Sequence, residues 1–187
     1  MFKNELVRKA YLFAYEAHSS QIYADEHPYT VHLFDVMMVL IEFGIDDPLL
    51  LSAALLHDCI EDTPYNYADV KEHTNQQVAD IVYVLTDELG RNRKERKERT
   101  LPKLDGNPQA QYVKLADWIS NVRQCYRNSH KMYQMYKKDY IEFSKFREQA
   151  VDAKMTSMWA ELDKLLCKDE KEFSNGLNTH HREFDGG

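Results

Sequence analysis

The segment AALLHDCIEDT, residues 53–63, places His57, Asp58, Glu61 and Asp62 at the end of an otherwise apolar run. On a helix, residues four apart share a face, so His57 is expected beside Glu61 and Asp58 beside Asp62. His57 and Asp58 are about 100° apart around the axis, close enough to converge on one ion at the helix edge. Imidazole and carboxylate together suit manganese, iron, zinc or magnesium to different degrees. A purely structural reading buries several ionisable groups against Ala53, Ala54, Leu55 and Leu56 without partners, at a cost of several kcal/mol.

Two further segments extend the set. His32 follows Pro28-Tyr29-Thr30-Val31 at the start of a second apolar stretch. Asp117 sits in VKLADWISNVR, residues 113–123, with Asn121 one turn later on the same face. An unpaired aspartate in the middle of an apolar helix is costly, and a bound cation satisfies it. A lone buried histidine is more often a packing or capping residue. His32, His57, Asp58 and Asp117 together, drawn from three helices, make a four-ligand site with water in the open positions. Residues 91–99, RNRKERKER, form a basic run. It reads as a solvated helix face or as a lip over a phosphate site, with Arg93, Lys94, Arg96 and Lys97 as the candidate contacts.

The elements that must position these residues read as helices. Leu6, Ala10, Phe13, Ala14 and Ala17 recur at helical spacing over 3–19, and residues 17–30 read as a loop. A second helix covers 31–43 and stops at Gly44. Asp47 caps a third that begins at Pro48 and runs to about Ile60, with Glu61 and Asp62 in its last turn. Shorter helices follow at 66–73 and 76–87. Asn107-Pro108 opens another that runs through about Arg127, and a last long helix covers 134–168.

Composition supports an all-α fold. The chain has 187 residues with only 6 Gly and 5 Pro, few for a turn-rich β protein. That length fits one domain and buries roughly 70% of the surface of the unfolded chain. The expected division is a catalytic domain over 1–169 and a polar, frayed tail over 170–187. The apolar run that opens at Pro48 is too short to span a bilayer, and the N-terminus lacks the apolar core of a signal peptide. Three separated cysteines make neither a disulfide framework nor a C-x-x-C site, so a cytoplasmic setting is expected. A net charge of −7 argues against nucleic-acid binding. It leaves room for a small anionic ligand in a locally positive pocket. Monomer and homodimer are equally open.

Six segments fall in one order and spacing: HSSQ (18–21), HPYTVH (27–32), AALLHDCIEDT (53–63), VADIVYVLTDE (78–88), RKERKER (93–99) and VKLADWISNVR (113–123). Over about residues 5–165 the chain resembles the HD superfamily and, within it, the small alarmone hydrolases of RelA/SpoT type. The resemblance implies a helical bundle with a buried metal site, one ion held by His32, His57, Asp58 and Asp117. It implies catalytic roles for Glu61 and Asp62 and a nucleotide contact for Asn121. The implied reaction removes the 3′-pyrophosphate from ppGpp or pppGpp, usually with Mn²⁺, with Mg²⁺, Fe²⁺ or Zn²⁺ as alternatives. One departure bears on the substrate. Where such proteins carry an Arg-Lys pair after the HxxQ-type segment, this chain has Tyr23 and Ala24. Tyr23 therefore becomes a candidate stacking contact, and guanine and adenine both remain open as the base. The rival readings are another nucleotide phosphohydrolase of the same superfamily and a non-catalytic domain that binds a nucleotide.

Overall fold

A computed structural model describes residues 3–23 and 27–167. Ala24 and the expected tail at 170–187 lie outside the described residues, as do the side chains of residues 126–128. The fold is all-α with one short hairpin. In chain order the elements are α1 (Glu5–Ala17), β1 (Ile22–Tyr23), β2 (His27–Pro28), α2 (Thr30–Glu42), α3 (Pro48–Leu56), α4 (Cys59–Asp62), α5 (Tyr67–His73), α6 (Gln76–Leu85), α7 (Arg93–Thr100), α8 (Pro108–Asn128), α9 (His130–Phe143) and α10 (Ala153–Leu166).

Most helix starts carry the cap that their sequence offers. Asn4, Asp47, Asn75, Asn92, Asn107, Ser129 and Asp152 each accept a backbone N–H from the first turn of the helix that follows. This satisfies donors that would otherwise be orphaned. At the end of α2 the chain turns through Gly44, at φ 74°. There Ile45 N–H bonds to Leu40 O and Gly44 N–H to Ile41 O, the paired C-terminal turn that favours glycine.

The core forms around α3 and α8. Helix α3 is apolar all round, and Leu50 and Ala53 to Leu56 are buried between α1, α2, α6 and α8. A helix apolar on every side belongs in an interior. Helix α8 packs against α2 on one side and α10 on another, burying Val113, Leu115, Ala116, Ile119 and Val122. Arg123 fastens the three together: its guanidinium donates to both carboxylate oxygens of Glu42, at 2.7 and 2.9 Å, and to Glu161 at 2.9 Å.

Three expectations need correction. The loop at 17–30 contains the antiparallel pair β1–β2, with Ile22 opposite Pro28 and Tyr23 opposite His27. The third helix does not run unbroken to Asp62: it stops at Leu56, and α4 begins at Cys59. The break falls where the His57 imidazole takes the Ala54 carbonyl and where Asp58 sits at φ −99°, ψ 0°. The long helix at 134–168 is two helices joined through a 3₁₀ turn, Ser144–Gln149. Neither Gly nor Pro marks that turn. It is set by distant partners: Gln149 bonds to Asp105, Gly106 and Gln111, and Asp152, capping α10, accepts the Tyr112 hydroxyl at 2.5 Å.

Candidate metal centre

The break between α3 and α4 lets both of its residues face one point. His57, His32 at the start of α2 and Asp117 in mid-α8 are all buried. Each presents one ligand atom, and these atoms lie within 4.8 Å of one another. Asp117 Oδ1 is 3.5 Å from His32 Nε2 and 3.7 Å from His57 Nε2. Asp58 Oδ2 is 3.0 Å from His57 Nε2 and 3.7 Å from His32 Nε2. The four predicted ligands thus come together, with His32, His57 and Asp117 forming the buried cluster and Asp58 half-buried at its side.

The donor set fits a divalent cation. His57 Nδ1 lies 2.8 Å from the carbonyl of Ala54, which as an acceptor requires an N–H there and turns Nε2 toward the carboxylates. Nε2 is buried with no aligned hydrogen-bond partner. Burial disfavours a charged His57, but Asp58 and Asp117 outweigh it and lift the pKa to about 10. Burial likewise opposes ionised Asp117. Lys114, His32 and His57 overcome it and hold the carboxyl well below its usual range. Asp58 is held low in the same way, chiefly by His57 against burial. Two ionised carboxylates thus hold a proton on His57, and a divalent ion bound there would displace it and take over its charge.

The surrounding shell fixes these ligands. Lys114, three residues before Asp117, places Nζ 3.2 Å from Oδ2. Burial opposes its charge, but Asp117, Asp58, Asp87 and Glu61 raise its pKa. Asn121 donates from Nδ2 to Asp117 Oδ1 and accepts the Tyr23 hydroxyl at 3.0 Å. The Tyr23 ring stacks on His32, with centroids 4.7 Å apart and planes 18° apart. The predicted substrate contacts Asn121 and Tyr23 therefore also orient two of the candidate ligands.

Glu61 and Asp62 sit at the exposed rim. Glu61 accepts the Asp87 backbone N–H at 3.0 Å, and Asp62 accepts the Tyr29 hydroxyl at 3.2 Å. Desolvation raises the pKa of both, partly offset by these hydrogen bonds.

The basic run divides. Arg93 Nε and Lys97 Nζ both reach Asp139 Oδ2 on α9, at 2.9 and 2.7 Å. Lys97 also lies over the Trp118 ring and shares a small cavity, about 20 Å³, with Asp87 and Lys114. Lys94 is exposed and pairs loosely with Glu98 on its own helix. Arg96 is half-buried under Gly90, where a Cβ would lie only 2.8 Å from its backbone nitrogen. Arg93 and Lys97 thus turn onto α9, Lys97 the more buried of the two, whereas Lys94 belongs to the solvated face.

Sequence reasoning passed over Tyr29, Lys114 and Asp139. Lys114 carried a readable signal, since i,i+3 spacing puts it on the Asp117 face. Tyr29 stood in a quoted segment, three residues before His32, without an assigned role. Nothing in the sequence pairs Asp139 with a run more than forty residues earlier.

An HD domain family model matches residues 10–140. A Xenopus tropicalis protein named guanosine-3′,5′-bis(diphosphate) 3′-pyrophosphohydrolase MESH1 is 37% identical over 126 residues, covering 65% of this chain and 70% of its own length. An Aquifex aeolicus guanosine-3′,5′-bis(diphosphate) 3′-pyrophosphohydrolase is 32% identical over 124 residues, covering 64% of this chain. The match spans only 18% of that longer protein. Among solved structures, a metazoan ortholog of SpoT, described as hydrolysing ppGpp, superposes with a TM-score of 0.73 at 26% identity. That match covers 88% of this chain and 96% of the other. Among the described residues, no helix is long and apolar enough to cross a membrane.

Proposed function

The chain belongs to the HD-domain family, and on that premise we propose that it is a metal-dependent hydrolase that removes the 3′-pyrophosphate from an alarmone such as ppGpp or pppGpp. The observation that carries this reading is the buried His32–His57–Asp117 cluster, with His57 Nδ1 bonded to Ala54 and its Nε2 turned into the cluster. The relatives named as ppGpp hydrolases support the substrate class.

His32, His57, Asp58 and Asp117 would hold the ion, with Mn²⁺ the favoured metal. A divalent ion there supplies Lewis acidity toward a water molecule and a phosphoryl oxygen. The chain's own residues do the rest. Glu61 and Asp62 divide the proton transfers: one accepts the proton of the attacking water, and the other returns a proton to the departing ribose 3′-oxygen. Desolvation shifts both carboxyls upward, the direction that makes a carboxylate a better proton acceptor. Asn121 and Lys114 hold Asp117 from two sides. Arg93 and Lys97 supply positive charge to the phosphates in exchange for Asp139.

A second reading, hydrolysis of an adenine alarmone, is favoured by Tyr23. Its ring and hydroxyl are engaged with His32 and Asn121, and it brings no cation to a base. Incubation with ppGpp, pppGpp, ppApp and deoxynucleoside triphosphates, with and without Mn²⁺, separates the readings by their chromatographed products. Turnover of the guanosine compounds supports the first. Turnover of ppApp alone moves the assignment to the second, and turnover of deoxynucleotides alone overturns both.

A further inference from the structure

Tyr29 occupies a position that the proposed chemistry has not used. Its hydroxyl lies 2.7 Å from Asp58 Oδ2 and 3.2 Å from Asp62 Oδ2, so one proton serves a candidate metal ligand and a candidate proton-transfer group. Without a donor between them, two carboxylates four residues apart repel, and Asp62 is the more exposed of the two.

The ring that carries this hydroxyl is itself fixed. It stacks on His18 with centroids 4.9 Å apart and planes 8° apart. His18 is fully buried, and its Nδ1 lies 2.6 Å from Gln21 Oε1. Gln21 closes the circuit from both ends: its backbone carbonyl accepts the Tyr29 N–H at 3.0 Å, and its Nε2 donates to the Asp62 carbonyl at 2.5 Å. The segments 18–21 and 27–32 thus form one brace around the C-terminal end of α4.

We propose that Tyr29 is a positioning residue, held by His18 and Gln21, that ties Asp58 to Asp62 and keeps the Asp62 carboxylate turned toward the metal centre. The inference rests on the metal-dependent reading of the site. It adds a role for the hydroxyl that is separate from packing. The ring holds its place by stacking, whereas the positioning needs only the O–H.

Tyr29→Phe removes that O–H and keeps the ring. The expected result has three parts. Melting temperature falls by less than about 6 °C, because the ring keeps its stacking and only one partly exposed O–H to a carboxylate is lost. Mn²⁺ affinity, titrated calorimetrically without substrate, weakens about 10-fold, the lower end for losing a group that supports a metal ligand. At saturating Mn²⁺, kcat on ppGpp still falls about 10- to 100-fold while KM changes less than about threefold. In an Asp62→Asn background the same change costs less than about twofold further in kcat, since the group that Tyr29 positions is already disabled.

Unchanged Mn²⁺ affinity, or multiplicative kcat losses in the double variant, overturns the proposal. If the wild-type protein turns over none of the nucleotides tried, the assigned reaction fails. The substrate-free Mn²⁺ titration still decides whether Tyr29 supports Asp58.

Discussion

Lys114→Met should unmask how far the metal centre depends on a fixed internal cation. Lys114 stands 3.2 Å from Asp117, with side chains only 20% and 10% exposed, and Asp58, Asp87 and Glu61 add to the negative field around it. Removing one partner of a buried ion pair costs about 3–5 kcal/mol, because the other charge is left uncompensated. For a domain of this size that is a fall of about 6–20 °C in melting temperature. This loss should appear in full in chelator-treated protein. With Mn²⁺ present, the ion's charge compensates Asp117 and the loss should shrink to less than half. By linkage the difference returns as tighter metal binding: 2 kcal/mol is roughly 30-fold in Kd. Differential scanning calorimetry of both proteins, with chelator and with Mn²⁺, measures all four corners. Equal losses with and without metal would mean that Lys114 acts by packing alone. No loss in either state would mean that the pair is spanned by solvent and that the electrostatic account of Asp117 is wrong.

The remaining expectations concern chemistry. His57→Ala and Asp58→Ala should each abolish hydrolysis and lower bound metal, measured by elemental analysis of purified protein; full occupancy with normal turnover would remove these residues from the ligand set. Glu61→Gln and Asp62→Asn should keep the ion yet lower kcat roughly 10²–10⁴-fold, and normal turnover in both would require another base. Lys97 adds a pH dependence. Burial, with Arg93 and Lys114 adding to it, outweighs Asp139 and holds its pKa down to about 8. Its charge is therefore present below pH 8 and lost as pH rises through that value. KM for a polyphosphate nucleotide should climb above pH 8 in wild type and stay flat in Lys97→Arg; the same climb in both would show that Lys97 does not meet the phosphates.

The candidate metal centre was legible because its residues break a pattern. His57, Asp58 and Asp117 interrupt apolar runs, and local helical spacing alone brings Asp117 and Asn121 to one face. The helix starts at Pro48 and Pro108 were legible for the same local reason: Asp47 and Asn107 act within three residues of where they stand. What escaped were contacts made across the chain. The turn at 144–149 depends on Gln149 reaching Asp105 and Gln111, and the apolar spacing on either side gives no sign of it. The basic run showed its charge but not its direction; Asp139 on a distant helix draws Arg93 and Lys97 onto α9. Tyr23 appeared as an open stacking surface, whereas the fold lays it on His32 and bonds it to Asn121. The break at His57–Asp58 was hidden by continuous helical spacing, and a side chain turning onto its own backbone causes no visible change in pattern.

The central claim is that this site cleaves a 3′-diphosphate with the help of a bound divalent ion. The most direct measurement is a time course on ppGpp with metal-stripped protein, followed by addition of Mn²⁺, with products resolved by anion-exchange chromatography. The account predicts no reaction before the addition. After it, GDP and pyrophosphate should appear in equal amounts, and an excess of chelator should stop their release. Equal rates before and after Mn²⁺, or release of inorganic phosphate with ppGp in place of pyrophosphate with GDP, would contradict it.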